Sequence, residues 1–290
     1  MAASAPKARA RRGPGPGDGR AKLEGPPRFH YRGLPETMSG HSKWATIKHK
    51  KGALDAKRGK LFTKLIKELT VAARMGGGDP GGNPRLRKAI SDAKGQSMPN
   101  DTIARAVKRG TGEIEGAAYE ELNYEGSGPA GTLFFVEAMT DNRNRTAAEI
   151  RKIFEKNNGL MGAAGTAGWA FERKGLIVVG KEASEDQLMD IGVGAGAEDY
   201  QDIGEDWQLT TPPDALNIVL EALEKAAIKS KSSSIAYLPK NKKQIAGRDA
   251  QVALNLVDAL DDHDDVQNVY ADFDISDEEL ANLESAASKP

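Results

Sequence analysis

Three groups of residues in this sequence could do chemistry. The first is Asp261-Asp262-His263-Asp264-Asp265, four carboxylates and an imidazole in one run, a donor set able to hold a divalent cation. It stands at the end of a helical pattern, where acidic side chains oppose the helix dipole, so some reason for them is expected. The run lacks the ligands from elsewhere that a coordination site needs, and a solvated turn or a surface for a basic partner accounts for it as well. The second group, Thr140-Asp141-Asn142-Arg143-Asn144-Arg145-Thr146, lies between a strand end and a helix start, where unpaired backbone N–H groups attract anions. Arg143 and Arg145, with two asparagines, could grip a phosphate or read a base edge, and an ordinary helix cap with exposed arginines is the alternative. The third group is the largest: Lys43, Trp44, Lys48, Lys50 and Lys51, then Lys57, Lys60, Lys64 and Lys67, with Arg105, Lys108 and Arg109 further along. Lysines neutralise phosphates and an aromatic among them can stack on a base, although a lone Lys-rich helix can also be only a solvated face.

Other chemistries are poorly served. There is no cysteine, which excludes disulfides, zinc–thiolate sites, iron–sulfur clusters and thiol catalysis, and suits a reducing cytoplasm. No Gly-x-Ser-x-Gly elbow occurs, and two of the four histidines, His30 and His41, lie in or beside a head that does not look folded. The loop Gly76-Gly77-Gly78-Asp79-Pro80-Gly81-Gly82 lacks the Gly-Lys-Ser/Thr ending of a phosphate cradle and reads as a hinge. Gly192 to Ala197 matches Gly-x-Gly-x-x-Ala, but after a helix rather than opening one, so it reads as a helix stop and loop. The expectation is a protein that is not an enzyme and needs no cofactor or resident metal. No apolar run approaches the ~20 residues that cross a bilayer, so no membrane is expected as a partner.

The elements that carry the basic groups are helical. Leu54, Leu61, Phe62, Leu65, Ile66, Leu69 and Ala73 recur at helical spacing over an arc of about 140°, with Lys57, Lys60, Lys64, Lys67 and Arg74 on the opposite side. This predicts one face that packs and one that is a row of cations. After the glycine connector, Asn83 caps a helix with Pro84 at its first position and Leu86, Ala89, Ile90 and Ala93 inward. A third helix from Asn100 or Asp101 carries Ile103, Ala106 and Val107 inward and Arg105, Lys108 and Arg109 outward, with Gly110 as its stop.

From Tyr119 the pattern changes. Tyr119–Tyr124 and Thr132–Met139 read as a hairpin, a helix follows from about Arg145 to Lys156, and Gly168–Glu172 reads as a strand. Residues 175–241 read as β-α-β-β-α-β, the ferredoxin-like order, with a Ser184-x-x-Gln187 capping box on the first helix. Val252, Leu256, Val257 and Leu260 mark a last helix, and Val269, Ala271, Phe273 and Ile275 alternate as a strand. The β-β-α-β before residue 175 lacks one helix and one strand, which this pair would supply. The fold class is therefore α+β: residues 38–112 a basic helical domain, 113–174 with 242–276 one α+β domain, 175–241 a second inserted in it, and 277–290 a frayed acidic tail.

Charge follows this division. The net charge of −1 is made of +5 over residues 1–37, +12 over 38–112 (17 Lys and Arg against 5 Asp and Glu) and −18 over 113–290. Such segregation points to a polyanion as partner of the basic part, with the acidic remainder orienting the docking. The Gly- and Pro-rich head cannot bury enough apolar surface to fold. Its arginines suggest a mitochondrial transit peptide, the Gly-Pro run argues against one, and Met38 as the working start is the simpler alternative.

The blocks MSGHSKWATIKHKKGALDAKRGKLFTKLIKELTVAAR, MPNDTIARAVKRGTGE, YEGSGPAG, TDNRNRTAAEIRKIF, GWAFERKG and LDDHDDVQNVYADFDI strongly resemble the YebC/PmpR family, in order, from Met38 to about Ser276. That family includes the mitochondrial translational activator of cytochrome c oxidase. The resemblance implies a three-domain hook with a basic helical N-terminal domain and two ferredoxin-like α+β domains, one inserted in the other. It also implies a DNA-binding transcriptional regulator or, alternatively, a ribosome-associated factor that binds ribosomal RNA and helps translation through proline-rich stretches. The head at 1–37 has no counterpart in typical bacterial members, and Gly159–Gly165 is less rich in asparagine and serine than the family pattern. The residues expected to grip nucleic acid are the cations and the tryptophan of the third group, with Arg143 and Arg145.

Overall fold

The computed structural model describes Met1 and residues 54–287. The head, Lys43, Trp44, Lys48, Lys50 and Lys51 lie outside the described residues, as does the side chain of Lys57. Helices α1 (Leu54–Gly76), α2 (Pro84–Gly95) and α3 (Asn100–Thr111) enclose a core that includes Leu65, Leu69, Leu86, Ala93 and Ile103. Asn83 joins two of them. Its side-chain oxygen accepts from the Leu86 N–H (3.0 Å) to cap α2, and its Nδ2 donates to the carbonyls of Ala72 (2.7 Å) and Gly77 (2.9 Å) at the end of α1. Gly110 is not the stop expected for α3. That role belongs to Gly112, whose φ of 81° is the left-handed conformation that favours glycine. Gly110 is buried inside the helix, where a Cβ would collide with the Thr70 carbonyl oxygen of α1 and lie 2.7 Å from the Ala73 Cβ. The glycine permits close helix approach.

The rest of the chain builds two antiparallel four-stranded sheets and a parallel pair of two-residue strands, β8 (Lys243–Gln244) with β10 (Phe273–Asp274). Strands β1 (Glu120–Ser127), β2 (Leu133–Thr140), β3 (Leu160–Met161) and β9 (Val266–Ala271) form the first, in the order β3-β1-β2-β9. Helices α4 (Arg143–Lys156) and α7 (Gly247–Asp261) cover it around Phe134, Ile150, Phe154, Leu256 and Leu260. Strands β4 (Phe171–Gly180), β5 (Asp199–Asp202), β6 (Asp206–Thr211) and β7 (Ser230–Pro239) form the second, in the order β5-β6-β4-β7. Its own core joins Ile177, Val179 and Leu209 to Leu188 and to Val219 and Leu223 of α6 (Leu216–Lys225). Ser184 caps the short α5 (Glu185–Gln187) through the expected capping box. Between the two sheets lie aromatic rings: Phe135 stands 4.5 Å from Tyr237, and Tyr237 stands 5.4 Å from Tyr270.

Two expectations are corrected. Gly168–Glu172 is not a strand of the first sheet: 168–170 is a helical turn, and Phe171 begins β4, which runs unbroken through Gly175. The strand expected there is supplied by Leu160–Met161, too short to show any alternation. The tail is not frayed at its start, because α8 (Asp277–Ala287) forms and packs Leu280 and Leu283 against the first core. No described helix is long and apolar enough to cross a membrane.

Candidate nucleic-acid interface

The lysine row of α1 does not face solvent in this structure. Lys64 and Lys67 are buried and Lys60 half-buried, against the turn that follows α7. Lys60 Nζ donates to the Asp262 carbonyl (3.0 Å) and meets its carboxylate at 2.6 Å. Lys64 Nζ donates to the Asp261 carbonyl (3.0 Å) and carboxylate (3.1 Å). Lys67 Nζ donates to the Asp264 carbonyl (2.8 Å) and to Asp265 Oδ1 (2.5 Å). The physical cause is the end of α7. Its last carbonyls lack intrahelical partners and its dipole is negative there, so four aspartates in the same place would repel without cations. Three lysines at positions 60, 64 and 67 lie on one side of α1 and supply both the donors and the charge. Of the roles open to Asp261–Asp265, a surface for a basic partner describes the contact, and the partner is the chain's own first helix.

Asp265 is the centre of this contact. Its second carboxylate oxygen accepts from Thr146 Oγ1 (2.6 Å), Arg145 Nη2 (3.0 Å) and Thr140 Oγ1 (3.1 Å). Burial works to raise its pKa, but Lys67, Thr146 and Arg145 outweigh burial and hold the carboxyl well below the ordinary aspartate range. A depressed folded-state pKa means that the unfolded chain binds more protons near the ordinary aspartate pKa of about 4. Asp265 therefore stabilises the fold fully above about pH 4 and loses this effect as pH falls towards its own depressed value. Asp265→Asn is expected to flatten the pH dependence of stability below about pH 4, which denaturant unfolding across pH measures.

The junction at 140–146 resolves as a cap. Asn142 caps α4 by accepting from the Arg145 N–H (3.1 Å), and α4 begins at Arg143. Arg145 is committed to carboxylates: Nη2 lies 2.9 Å from Asp141 and 3.0 Å from Asp265, and these two acids, Asp265 first, raise its pKa. Arg143 is exposed. The two arginines thus do not form one phosphate clamp. Glu149 and His263 with Asp265 place one potential metal-ligand atom each within 4.8 Å of one another. His263 Nδ1 accepts from the Asp265 N–H (3.1 Å), so Nε2 carries the proton and donates to Glu149 (2.9 Å). With Lys67 and Arg145 already on Asp265, this group is an internal hydrogen-bond network that would repel a cation. It borders a groove of about 750 Å³ whose lining includes Lys67, Tyr119, Arg145, Lys152 and Lys156.

The exposed cations lie elsewhere on the helical unit. Arg105, Lys108 and Arg109 project from α3. Reading the sequence missed Arg87, Lys88 and Lys94, which are exposed on α2, Lys88 beside Asp92 (2.7 Å). The signal was present, since these positions fall outside the Leu86–Ala89–Ala93 stripe. Arg85, by contrast, is a strut: it forks onto Glu68 (2.7 and 2.9 Å) and onto Glu121 of β1 (2.6 and 3.2 Å). Further along β1, Glu125 accepts from the N–H groups of Gly165 (2.9 Å), Ala167 (2.6 Å) and Gly168 (2.6 Å). Burial works to raise its pKa, and these three donors outweigh it to hold the carboxyl below the ordinary range. The loop so fixed presents Trp169, 66% exposed.

Residues 42–113 match the model of the TACO1/YebC protein N-terminal domain, and residues 119–273 match that of the TACO1/YebC second and third domain. The chain is 54% identical over 246 residues to a probable transcriptional regulatory protein of Geobacter sp. (strain M21), covering 85% of this chain and all of the relative. It is 55% identical over the same length and coverage to a protein of that description from Geobacter sulfurreducens. A crystal structure of a conserved hypothetical protein from Aquifex aeolicus superposes with a TM-score of 0.74 at 47% identity, over 81% of this chain and 98% of that one.

Proposed function

Since the chain belongs to the TACO1/YebC family, we propose that it is a non-enzymatic, nucleic-acid-binding regulator of gene expression, acting in the cytoplasm on DNA as a transcriptional regulator. The relatives named for that role support the choice of DNA. The observation that carries the binding itself is the exposed basic surface of the helical unit: Arg105, Lys108 and Arg109 on α3 and Arg87, Lys88 and Lys94 on α2. Arg143 is a secondary contact, Lys43, Trp44, Lys48, Lys50 and Lys51 extend the basic segment ahead of α1 in sequence, and Lys57 belongs to its first turn. Cations on an exposed helical surface neutralise phosphates and supply affinity rather than sequence reading. We take the three apolar cores as three domains. The order β5-β6-β4-β7 suits an inserted ferredoxin-like unit whose start lies nearer Phe171 than Gly175.

Ribosomal RNA is the second reading. The first turn of α3 exposes Asn100, Asp101 and Ala104, and an acid where a recognition helix meets base edges favours a partner held by its backbone and shape. Sedimentation of the tagged protein from lysate through a sucrose gradient separates the two. Protein left at the top that still retards promoter DNA in preference to random duplex supports the DNA regulator. Co-migration with ribosomes after nuclease removal of DNA contradicts it in favour of the ribosome.

A further inference from the structure

The contacts that join the helical unit to the first sheet differ in kind from those within each. Among the described residues an apolar cluster that includes Phe135, Tyr270, Phe171 and Leu176 spans the two sheets, and the buried apolar residues of α1–α3 cluster with one another rather than with those of the first sheet. Between α1–α3 and the sheets, the side-chain hydrogen bonds include those of Lys60, Lys64 and Lys67 to Asp261–Asp265, of Arg74 to the Tyr119 carbonyl, and of Arg85 to Glu121. The connecting residues 112–118 are all exposed. A junction held by ion pairs is screened by salt and open to competition from another polyanion in a way that an apolar junction is not.

The pairs are also graded. Side-chain exposure falls from 37% and 68% for Lys60 with Asp262, through 11% and 25% for Lys64 with Asp261, to 7% and 6% for Lys67 with Asp265. Lys67 also lies 5.5 Å from the ring of Tyr119, beside the connector. The weakest pair is farthest along α1 from the connector and nearest in sequence to Lys43–Lys51; the strongest sits where a pivot would.

We propose that the acidic turn Asp261–Asp265 is a built-in stand-in for a nucleic-acid backbone: it occupies the α1 lysine row in the free protein, and phosphates displace it from Lys60 and Lys64 while Lys67–Asp265 holds as the pivot. The proposal rests on the nucleic-acid reading above and adds a state to it. Carboxylates and carbonyl oxygens present to the lysines the same anionic oxygens that phosphates would. The closed junction lowers apparent affinity by the fraction of molecules that are open, so weakening the turn should tighten binding.

The test uses the full chain, whose lack of cysteine lets spin labels go only where placed. Ser91→Cys on α2 and Asn255→Cys on α7, both exposed, report the distance across the junction. One short distance is expected at low salt. A longer component should appear in about 0.5 M KCl, and also with a DNA duplex of about 30 base pairs or an RNA hairpin of similar length. Asp261→Asn with Asp262→Asn should show the longer component without either addition and bind the same probes about threefold tighter or more. An unchanged distance at high salt and in the variant overturns the stand-in, whether or not nucleic acid binds. Opening by salt and substitution while neither probe binds either protein overturns the nucleic-acid reading and the displacement with it, and leaves the ion-pair junction standing. Binding that the double substitution leaves unchanged, despite an open junction, overturns the competition alone.

Discussion

Asp265→Ala should cost about 3–5 kcal/mol of stability, the range for removing one partner of a buried ion pair. The reason is what remains behind. Lys67, 7% exposed at its side chain, would keep a charge with its carboxylate gone, and the Thr140, Thr146 and Arg145 donors would be left without their shared acceptor. Denaturant unfolding of the variant measures the loss. Reciprocal replacement of Lys60, Lys64 and Lys67 by glutamate should also unfold the junction, because it sets like charges against Asp261, Asp262 and Asp265. A lysine row on a free face would predict the opposite, loss of binding with stability unchanged, so that triple variant is the wrong probe of binding. A variant Asp265→Ala as stable as the parent would mean that Lys67 reaches water.

Gly110→Ala should destabilise by about 2 kcal/mol although alanine is the better helix former by about 1 kcal/mol. Its methyl would be driven into the Thr70 carbonyl and the Ala73 Cβ, backbone and short side chain that cannot swing aside. α1 and α3 would have to separate, opening the packing of Leu69, Ala73 and Ala106 and weakening the Thr70 Oγ1 bond to the Ala106 carbonyl (3.3 Å). Thermal unfolding, with amide exchange on α1 and α3, reads this directly; a gain in stability would show that the helices do not approach so closely.

How much of this was legible in the sequence depends on the range of the interaction. The caps at Asn83 and Ser184 and the stripes of α1–α3 are local, and residue type with helical period was enough to find them. The α+β class followed in the same way from alternation and spacing. Leu160–Met161 escapes notice because two residues carry no period, and β4 reads as two strands, one ending at Glu172 and one starting at Gly175, because the charged Arg173 and Lys174 interrupt the apolar pattern and the partner strand lies far away in sequence. The lysine row was legible as a row but not as a contact. Its partner lies some two hundred positions away in sequence, and an amphipathic pattern says which face is charged, not whether water or another element meets it. The two puzzles, an acidic run against a helix dipole and a surplus of lysines, were separately visible and are each other's explanation.

The central claim is that the helical unit binds nucleic acid through the cations that remain exposed on it. The most direct measurement is the affinity of the full chain for a DNA duplex as a function of salt, beside the variant Arg105→Glu, Lys108→Glu, Arg109→Glu. These side chains point away from the core of α1–α3, so the variant should fold. It should bind more weakly, and the slope of log affinity against log salt should become shallower by about 3, one for each phosphate no longer neutralised. A folded variant with unchanged affinity and an unchanged slope would contradict the claim.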